Sequence, residues 1–397
     1  MDFQRLLEFA VGREASDVHV QAGIPPYVRI GGHLKPTDQP PVTDEQVHQF
    51  ISSITQPRFR EKLDEHLSAG LDFSYACPGL SRFRCSAYRH LGTAGISMRI
   101  IRGKIPSIAD LHLPPVVGEI ALSGRGLTLV TGTTGSGKST TLASMIALID
   151  KTRACKVITI EDPVEYLHAP KQCIIAQLEV GTDTPSFDKA LRQALRQDPD
   201  VILVGELRDM ETLRIALRAA DTGHQVLTTV HSANAPQTIE RIIAMFPAGE
   251  HKLLLTQLAG NLEAIISQRL LICRDGSRRP AIEILRGGPV TAKHILDGKA
   301  LDLPDYMRSG GAGMQTFDQH LLSLFRQELI TVTEALHHAT NREQLTMALR
   351  GISSSQSLTD PGSQRSAAPA NHAAPRQPHP PAPPPRAPAP GAAEARH

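Results

Sequence analysis

The chain contains a glycine-rich segment with the spacing of a phosphate-binding loop. Residues 132–139 match the pattern G-x-x-x-x-G-K-[ST] in full, with an apolar run before them and a helix-like pattern after them. In such a loop, backbone N–H groups wrap around a polyphosphate, the lysine reaches the β- and γ-phosphates, and the next hydroxyl ligates Mg²⁺. The candidate binding residues are Gly132, Thr133, Thr134, Gly135, Ser136, Gly137, Lys138, Ser139 and Thr140, with Ser139 as the Mg²⁺ ligand.

Two further apolar runs end in acidic residues that could complete a hydrolytic site. Residues 201–204 lead to Gly205 and Glu206, which resembles a Walker B strand with glycine in place of a metal-linked aspartate. Residues 157–160 lead to Glu161. One acid after a strand is commonly a helix N-cap. Beside a phosphate loop, two such acids predict the carboxylates that orient or deprotonate the attacking water and hold the metal's water shell.

His224 and His231 bracket a further apolar run, residues 226–230. A single histidine at a strand end is more often a hydrogen-bonded bystander, but two in a phosphoryl-transfer domain could sense the γ-phosphate as hydrogen-bond donors. A zinc site is not predicted, because the sequence offers no cluster of further ligands nearby. The five cysteines are scattered without a C-x-x-C pair, which indicates reduced thiols rather than a disulfide framework.

These residues need elements that bring them to one place, and the pattern from Gly126 onward predicts such elements. Apolar runs of strand size alternate with helix-sized segments: strands at 127–130, 157–160, 201–204 and 226–230, and helices at 138–150, 186–197 and 210–221. Continuous Val/Ile/Leu runs with helical crossovers predict a parallel sheet covered on both faces. This is the layout of a nucleotide-binding α/β domain.

The first hundred residues predict a small α/β domain of their own. Period-two alternation indicates strands at 17–21, 26–30, 82–90 and 95–101, and the apolar spacing in 44–68 predicts a helix. The proline-bearing stretch 102–115 is the predicted linker. The predicted domains are therefore 1–104 and 105–350.

The C-terminal residues 351–397 differ in composition from the rest of the chain. Eleven of the 30 prolines fall after residue 360, and no Val, Ile, Leu, Met, Phe or Tyr follows Leu358. Such a segment cannot bury enough apolar surface to offset the entropy of ordering it. We therefore expect a disordered, Ala/Pro-rich tail.

Charge and hydropathy limit the classes of partner. The 397 residues include 42 Lys+Arg and 40 Asp+Glu, a net charge of +2, which gives no argument for a nucleic-acid-coating protein. No run approaches the roughly 18 to 20 apolar residues that span a bilayer, and the first residues lack a signal-peptide pattern. We expect a cytoplasmic chain with no transmembrane segment and no nucleic-acid partner.

Four blocks in order carry a family resemblance: GTTGSGKST (132–140), TIEDPVEY (159–166), LRQDPDVILVGELRD (195–209) and TGHQVLTTVHSANA (222–235). They resemble the Walker A, Asp box, atypical Walker B and His box of the type II/IV secretion ATPase superfamily, in particular its PilT-type pilus retraction motors. Segments 15–32 and 81–90 resemble the family's PAS-like N-terminal domain, and 246–271 and 313–319 its C-terminal helical region. The resemblance covers about residues 1–345.

The resemblance implies an α/β fold with a RecA-like P-loop core of mostly parallel sheet, between a PAS-like domain and a helical region. It implies a homohexameric ATPase using ATP and Mg²⁺, with ATP between the N-terminal domain of one subunit and the core of another. Glu206 would be the catalytic glutamate and Glu161 the acid near metal and water. His231 and His224 would sense the nucleotide state, and Arg84 and Arg99 would point from the N-terminal domain at the phosphates.

The resemblance also bears on direction of movement. Only about 100 residues precede the core and no tetracysteine insert is present, which favours the retraction branch over extension relatives. The implied partner is an inner-membrane pilus platform protein, and the implied location is the cytoplasmic base of the pilus machine.

One block departs from the retraction pattern. The family's A-I-R-N-L-I-R falls on residues 290–296, where Ala292 and Leu296 replace both arginines. An accessory PilU-type ATPase that works with a paralogue is therefore the nearest alternative. From other classes, a DNA-translocating RecA-like ATPase and a nucleotide-binding scaffold remain. Stimulation of ATPase by DNA distinguishes the first, and absence of turnover the second.

Overall fold

The computed structural model describes residues 2–101, 103 and 105–351. The predicted tail therefore lies outside the described residues, apart from residue 351, and the predicted linker is described except at residues 102 and 104. Within this part of the chain, none of the helices combines the length and the hydropathy that a bilayer crossing requires.

The first part of the chain forms a six-stranded antiparallel sheet with the order β3-β2-β1-β6-β5-β4. Its strands are β1 (Asp17–Gln21), β2 (Tyr27–Ile30), β3 (His33–Pro36), β4 (Leu71–Cys77), β5 (Ser81–His90) and β6 (Thr93–Ile101). The four strands predicted from alternation are confirmed. Residues such as Phe83, Cys85 and Met98 face the apolar core of this sheet. The next residues along, Arg84 and Arg99, lie on the opposite face, because strand side chains alternate.

Helices cover the core face of this sheet. They are α1 (Phe3–Gly12), α2 (Asp44–Ile54), α3 (Pro57–Arg60) and α4 (Leu63–Ala69). The prediction of a single helix over 44–68 is wrong, because the chain leaves helical geometry at Thr55 and Gln56. Pro57 explains the break, since the residue before a proline disfavours the α region.

The second sheet has seven strands in the order β13-β12-β7-β11-β10-β8-β9. They are β7 (Gly126–Gly132), β8 (Lys156–Glu161), β9 (Ile174–Glu179), β10 (Val201–Val204), β11 (Gln225–Val230), β12 (Leu262–Ile272) and β13 (Arg278–Arg286). Every pairing is parallel except that of β12 with β13. The predicted, mostly parallel α/β sheet is confirmed.

Helices cover both faces of this sheet. On one face lie α5 (Val116–Ala121) and α6 (Lys138–Thr152), and on the other α7 (Phe187–Ala194), α8 (Met210–Asp221), α9 (Ala235–Ala244) and α10 (His251–Asn261). Adjacent strand residues enter opposite cores: Ile202 packs with the second group of helices and Leu203 with the first. The strands are therefore buried on both sides, as continuous apolar runs predict.

The C-terminal region is helical after strand β13. Its helices are α11 (Pro289–Leu296), α12 (Leu303–Met307), α13 (Phe317–Arg326), α14 (Val332–His337) and α15 (Arg342–Leu349). The segment 246–271, expected to belong to this helical region, is helical only through α10. Its second half forms strand β12, which pairs with β7 beside the phosphate loop. The β-branched pair Ile265 and Ile266, each buried on a different face of the sheet, favours this strand.

Candidate functional site

The phosphate loop joins the end of β7 to the start of α6. Gly132 has a φ of 145°, and a Cβ there would lie 2.5 Å from both the carbonyl oxygen of Gln268 and Ser136 Oγ. Only glycine fits this position. Among the described residues, the N–H groups of Thr134, Gly135 and Gly137 donate to no main-chain carbonyl. Free N–H groups at a helix N-terminus form an anion-binding concavity.

Lys138 supplies a fixed positive charge at this loop. It is buried, and its Nζ donates to the carbonyl oxygens of Gly132 and Thr133, each at 3.0 Å. Burial lowers the pKa of Lys138, while the charges of Glu206 and Glu165 oppose that shift. An ammonium group has three donor hydrogens, so these two contacts leave one for a phosphate oxygen.

Glu206 follows strand β10 and faces the loop. Its Oε1 lies 3.3 Å from His231 Nε2, and its Oε2 accepts a hydrogen bond from Arg208 Nε at 2.8 Å. Close packing explains the glycine at the preceding position 205, because a Cβ there would lie 3.2 Å from the carbonyl oxygen of Ile160. An aspartate at this position would press against the end of β8.

Arg208 was not among the residues predicted from the sequence. It pairs with Glu206 and also lies 3.5 Å from Asp162 Oδ2, so it bridges the acidic segments that follow β10 and β8. Its position two residues after the candidate catalytic acid was the available signal. The contact orients Glu206 and places a cation between two carboxylates.

Glu161 ends β8 and is held by its neighbours. Its Oε1 accepts from Thr159 Oγ1 at 2.7 Å and from Gln177 Nε2 at 3.4 Å. Burial raises the pKa of Glu161, and the hydrogen bond from Thr159 opposes that shift. Thr159 was missed by the sequence analysis, although strand periodicity places it on the same side as Glu161.

The two histidines lie at opposite ends of β11. His231 follows the strand and lines the cleft with Glu206, whereas His224 precedes the strand and bonds to Thr222 Oγ1 and the carbonyl oxygen of Ala219. The structure does not bring His224 to the cleft of this chain. Burial, with the nearby Lys138 charge second, lowers the pKa of His231, which favours the neutral form of its ring.

Arg84 and Arg99 line the cleft from the six-stranded sheet of the same chain. They are cross-strand neighbours on β5 and β6. Arg99 Nε donates to Asp17 Oδ1 at 3.0 Å. Burial raises the pKa of Asp17, but hydrogen bonds from Ser16 and Arg99 outweigh it and leave that pKa below its usual value. The expectation that the arginines reach the core of another subunit thus differs from this arrangement, where they face their own phosphate loop.

The cleft has a volume of about 610 Å³, within the usual range for a small-ligand site. It brings together the predicted residues Lys138, Ser139, Thr140, Glu161, Glu206, His231, Arg84 and Arg99. Tyr166 also lines it and bonds through its hydroxyl to Thr140 Oγ1 at 2.9 Å. The loop residues Thr134, Gly135 and Gly137 line the cleft, and their N–H groups, which donate to no main-chain carbonyl among the described residues, fit a polyphosphate. The oxygens of Ser139, Glu161 and Glu206 fit Mg²⁺, which prefers oxygen ligands.

The parallel sheet, the loop at the end of β7 and the acids at the ends of β8 and β10 define a P-loop protein with a RecA-like core. A model of the family described as type II/IV secretion system protein matches residues 2–350. The chain belongs to this family.

Two known proteins and one solved structure show which members of the family this chain is similar to. The chain is 41% identical over 340 residues to the type IV pilus retractation ATPase PilT of Pseudomonas aeruginosa, covering 85% of this chain and 98% of that protein. It is 40% identical over 352 residues to the type IV pilus ATPase PilU of the same organism, covering 88% and 92%. A crystal structure of the pilus retraction motor PilT with bound ADP superposes with a TM-score of 0.81 at 41% identity, covering 87% and 99%.

Proposed function

We propose that this chain is an ATPase that powers type IV pilus retraction. One observation carries the proposal. The chain matches 98% of the length of a retraction ATPase, and one cleft of this chain is lined by the phosphate loop, the acidic residues and the two arginines. A hydrolytic site needs these three kinds of group, because phosphoryl transfer is promoted mainly by positioning and charge stabilisation.

The loop and Lys138 bind the phosphates of ATP. Free N–H groups at the start of α6 meet the phosphate oxygens, and Lys138 neutralises charge toward the γ-phosphate. Arg84 and Arg99 face them across the cleft, where planar guanidinium groups meet charge that develops on the transferred phosphoryl oxygens.

Glu206 orients and deprotonates the attacking water. Its neighbours His231 and Arg208 fix the direction of the carboxylate, and the neutral form of His231 can donate a hydrogen bond from Nε2 to Glu206 without adding charge to the site. Mg²⁺, held by Ser139 with Glu161 near its water shell, would supply neutralisation of phosphate charge. The histidine's contact with Glu206 supports a role as nucleotide-state sensor.

The assembly and location follow from the same proposal. We place the protein in a homohexameric ring at the cytoplasmic face of the inner membrane, docked on the pilus platform protein. The proposed domains are 1–104, 105–350 and 351–397. Separate apolar cores support the first boundary, since one contains only residues before Ile101 and the others begin at Leu113.

A second candidate is an accessory, PilU-type retraction ATPase that requires a paralogue. The specific observation is the block on α11, where Ala292 and Leu296 replace the arginines of the retraction pattern. A strain that retains this protein and lacks its paralogue separates the two: an autonomous motor still retracts pili, and an accessory one does not.

The biochemical test uses Lys138→Ala with Lys151→Ala as a matched control. Both lysines belong to α6, but Lys151 is exposed at the far end of the helix. We expect Lys138→Ala to abolish Mg²⁺-dependent ATP turnover and most nucleotide affinity, and Lys151→Ala to retain both. Turnover near the parent rate in Lys138→Ala would remove the assignment of the site.

The cellular test counts surface pili in a deletion strain. More pili together with lost twitching motility supports retraction. Loss of pili points instead to extension.

A further inference from the structure

Glu179, the last residue of β9, lies outside the nucleotide cleft but touches both of its walls. Its side chain is only 3% exposed. Oε2 accepts hydrogen bonds from Ser74 Oγ at 2.8 Å, Arg82 Nη2 at 2.8 Å and the Val164 N–H at 3.2 Å. Oε1 accepts from Thr182 Oγ1 at 3.0 Å. One buried carboxylate thus collects four donors from three separate parts of the chain.

On one side, these donors belong to the arginine wall. Ser74 on β4 is the direct cross-strand partner of Arg84 on β5, and Arg84 in turn pairs across to Arg99 on β6. Arg82 is two residues before Arg84, so the two side chains project from the same face of the sheet. Holding Ser74 and Arg82 therefore fixes the strand that carries Arg84.

On the other side, the donor belongs to the acidic wall. Val164 lies between Glu161 and Glu165, and the Glu165 N–H donates to Glu161 Oε2 at 3.4 Å. The Val164 N–H donates to the Glu179 side chain, and Glu161 is itself the ladder partner of Glu179 between β8 and β9. Through it, the loop that orients Glu161 is joined to the arginine wall.

Arg84 has space to turn away from the nucleotide. Besides the main cleft, it lines a second cavity of about 150 Å³, whose walls include Asp72, Asp162 and Glu179 itself. The Arg84 side chain also has no ion pair or hydrogen bond among those of the described residues. Its direction therefore depends on the placement of its strand rather than on a partner of its own.

We propose that Glu179 is a positioning residue for ATP hydrolysis, which holds the arginine wall and the acidic loop at a fixed separation. A carboxylate suits the task because it accepts on both oxygens and forms charge-assisted bonds with Arg82. The inference rests on the proposed function, because it assumes that Arg84 and Glu161 act on bound ATP. Small displacements of such groups are sufficient: about 1 Å of misplacement can lower a rate by about 100-fold.

The test compares Glu179→Gln, Arg82→Met and the double variant in the full chain. We expect each single variant to lower kcat by about 10- to 100-fold while KM and the dissociation constant for a fluorescent ADP analogue change by less than about threefold. The loss of kcat in the double variant should be no greater than in the worse single variant, because both substitutions break the same Glu179–Arg82 contact. Arg82→Lys, which keeps the charge, should recover part of the loss.

Arg89→Met is the matched control. Arg89 lies on the same strand, but it pairs with Asp64 away from the cleft. It should leave kcat unchanged. If a Glu179 variant fails to fold, Ser74→Ala removes one contact from the same group, and its kcat should fall with nucleotide affinity retained.

The results distinguish a failure of the proposed function from a failure of the positioning role. If the parent protein does not hydrolyse ATP, the proposed function fails. If the parent does, and folded Glu179→Gln and Arg82→Met variants keep a kcat within about twofold of it, the positioning role is overturned. A rise in KM in step with the fall in kcat would also overturn it, because that pattern indicates general damage to the site.

Discussion

At the scale of single residues, Glu206 is distinguished by its contacts. It is the one carboxylate of the cleft, within the described residues, that touches both a histidine and an arginine. A group held from two sides is suited to orient a water molecule, because its rotamer is restricted before the substrate arrives. Glu161, by contrast, is held by the neutral donors Thr159 and Gln177 and the Glu165 N–H.

We predict that Glu206→Gln keeps nucleotide binding and loses hydrolysis. The amide retains the shape and a donor or acceptor toward His231 but cannot take a proton, so kcat should fall by about 100- to 10,000-fold. The measurements are kcat and the dissociation constant of an ADP analogue. Glu211→Gln, an acid on α8 that pairs with Arg192, is the control and should match the parent. Equal losses of binding and turnover in Glu206→Gln would indicate a structural role instead.

Glu283 on β13 is a buried acid whose protonation affects stability. Burial raises its pKa to about 7, against a hydrogen bond from the Ala235 N–H at 2.8 Å and the charge of Arg269 on β12. Asp318 on α13 raises it further. The folded state therefore binds a proton more tightly than the unfolded state, where the pKa is near 4.5. The stabilisation that Glu283 contributes is therefore fully present below the unfolded-state pKa of about 4.5, and it is lost as pH rises through about 7.

We predict that Glu283→Gln changes the pH dependence of unfolding. The variant cannot ionise, so its free energy of unfolding relative to the parent should increase by about 2–3 kcal/mol between pH 5 and pH 8. Urea denaturation at several pH values measures this difference, and other titrating groups cancel because both proteins share them. A constant difference across that range would mean that Glu283 titrates alike in the folded and unfolded states.

At the scale of elements, the sequence was sufficient where one pattern determines one structure. Continuous apolar runs located β8, β10 and β11, and the phosphate-loop motif located the start of α6. The pattern of apolar residues was insufficient for strands that are defined by their position in the sheet. Residues 174–179 form the edge strand β9, whose burial is partial, so only a short apolar run at 173–176 marks it. Strand β12 lies in segment 246–271, which the resemblance assigns to a helical region. Its pairing with β7 joins residues more than 100 apart, so no local pattern reports it.

The residues of the site also fall into those that the local sequence reveals and those that it does not. The motif identified Lys138, and strand ends identified Glu206 and Glu161, because these groups are set by local sequence. Asp17, Arg208 and Glu179 were missed. Arg208 had a local signal, because it follows Glu206 by two residues. Asp17 and Glu179 act through partners on other elements: Asp17 holds Arg99, and Glu179 holds Arg82. Such pairs exist only after the sheets are assembled, and no spacing along the chain reports them.

Helix α11 carries an apolar surface where the retraction pattern has arginines. Ala292 and Leu296 are four residues apart, so they share one side of the helix, and Leu296 is 51% exposed. Neither change removes a large buried contact. We predict that Ala292→Arg/Leu296→Arg shifts the free energy of unfolding by less than about 1 kcal/mol and kcat by less than about twofold.

Pilus retraction, however, should change in that variant, because residues 290–296 correspond to the family's retraction-linked block and the two arginines restore its pattern. Retraction speed and ATPase rate are measured on the same variant. If retraction matches the parent, α11 is not a coupling element in this protein. A large loss of stability would show instead that the helix packs against a surface that the arginines disrupt.

At the scale of the whole molecule, the arrangement of walls around the cleft decides which chain completes each site. Arg84 and Arg99 line the same cleft as Lys138 of their own chain, and the Glu179 contacts hold the two walls together within that chain. A proposed ring built from such chains would contain sites that are each complete within one subunit, rather than sites shared between neighbours.

We predict that two inactive variants do not complement each other in mixed rings. Arg84→Ala and Lys138→Ala are each expected to lower turnover strongly. If the arginine acts within its own chain, every site of a mixed ring lacks one of the two groups, and turnover equals the weighted mean of the separate variants. If it acts on a neighbour, some sites pair an intact Lys138 with an intact Arg84, and mixing raises turnover above that mean. Subunit exchange is confirmed first by mixing Lys138→Ala with parent protein, and a rise in activity for the two variants would assign the arginines to the neighbouring subunit.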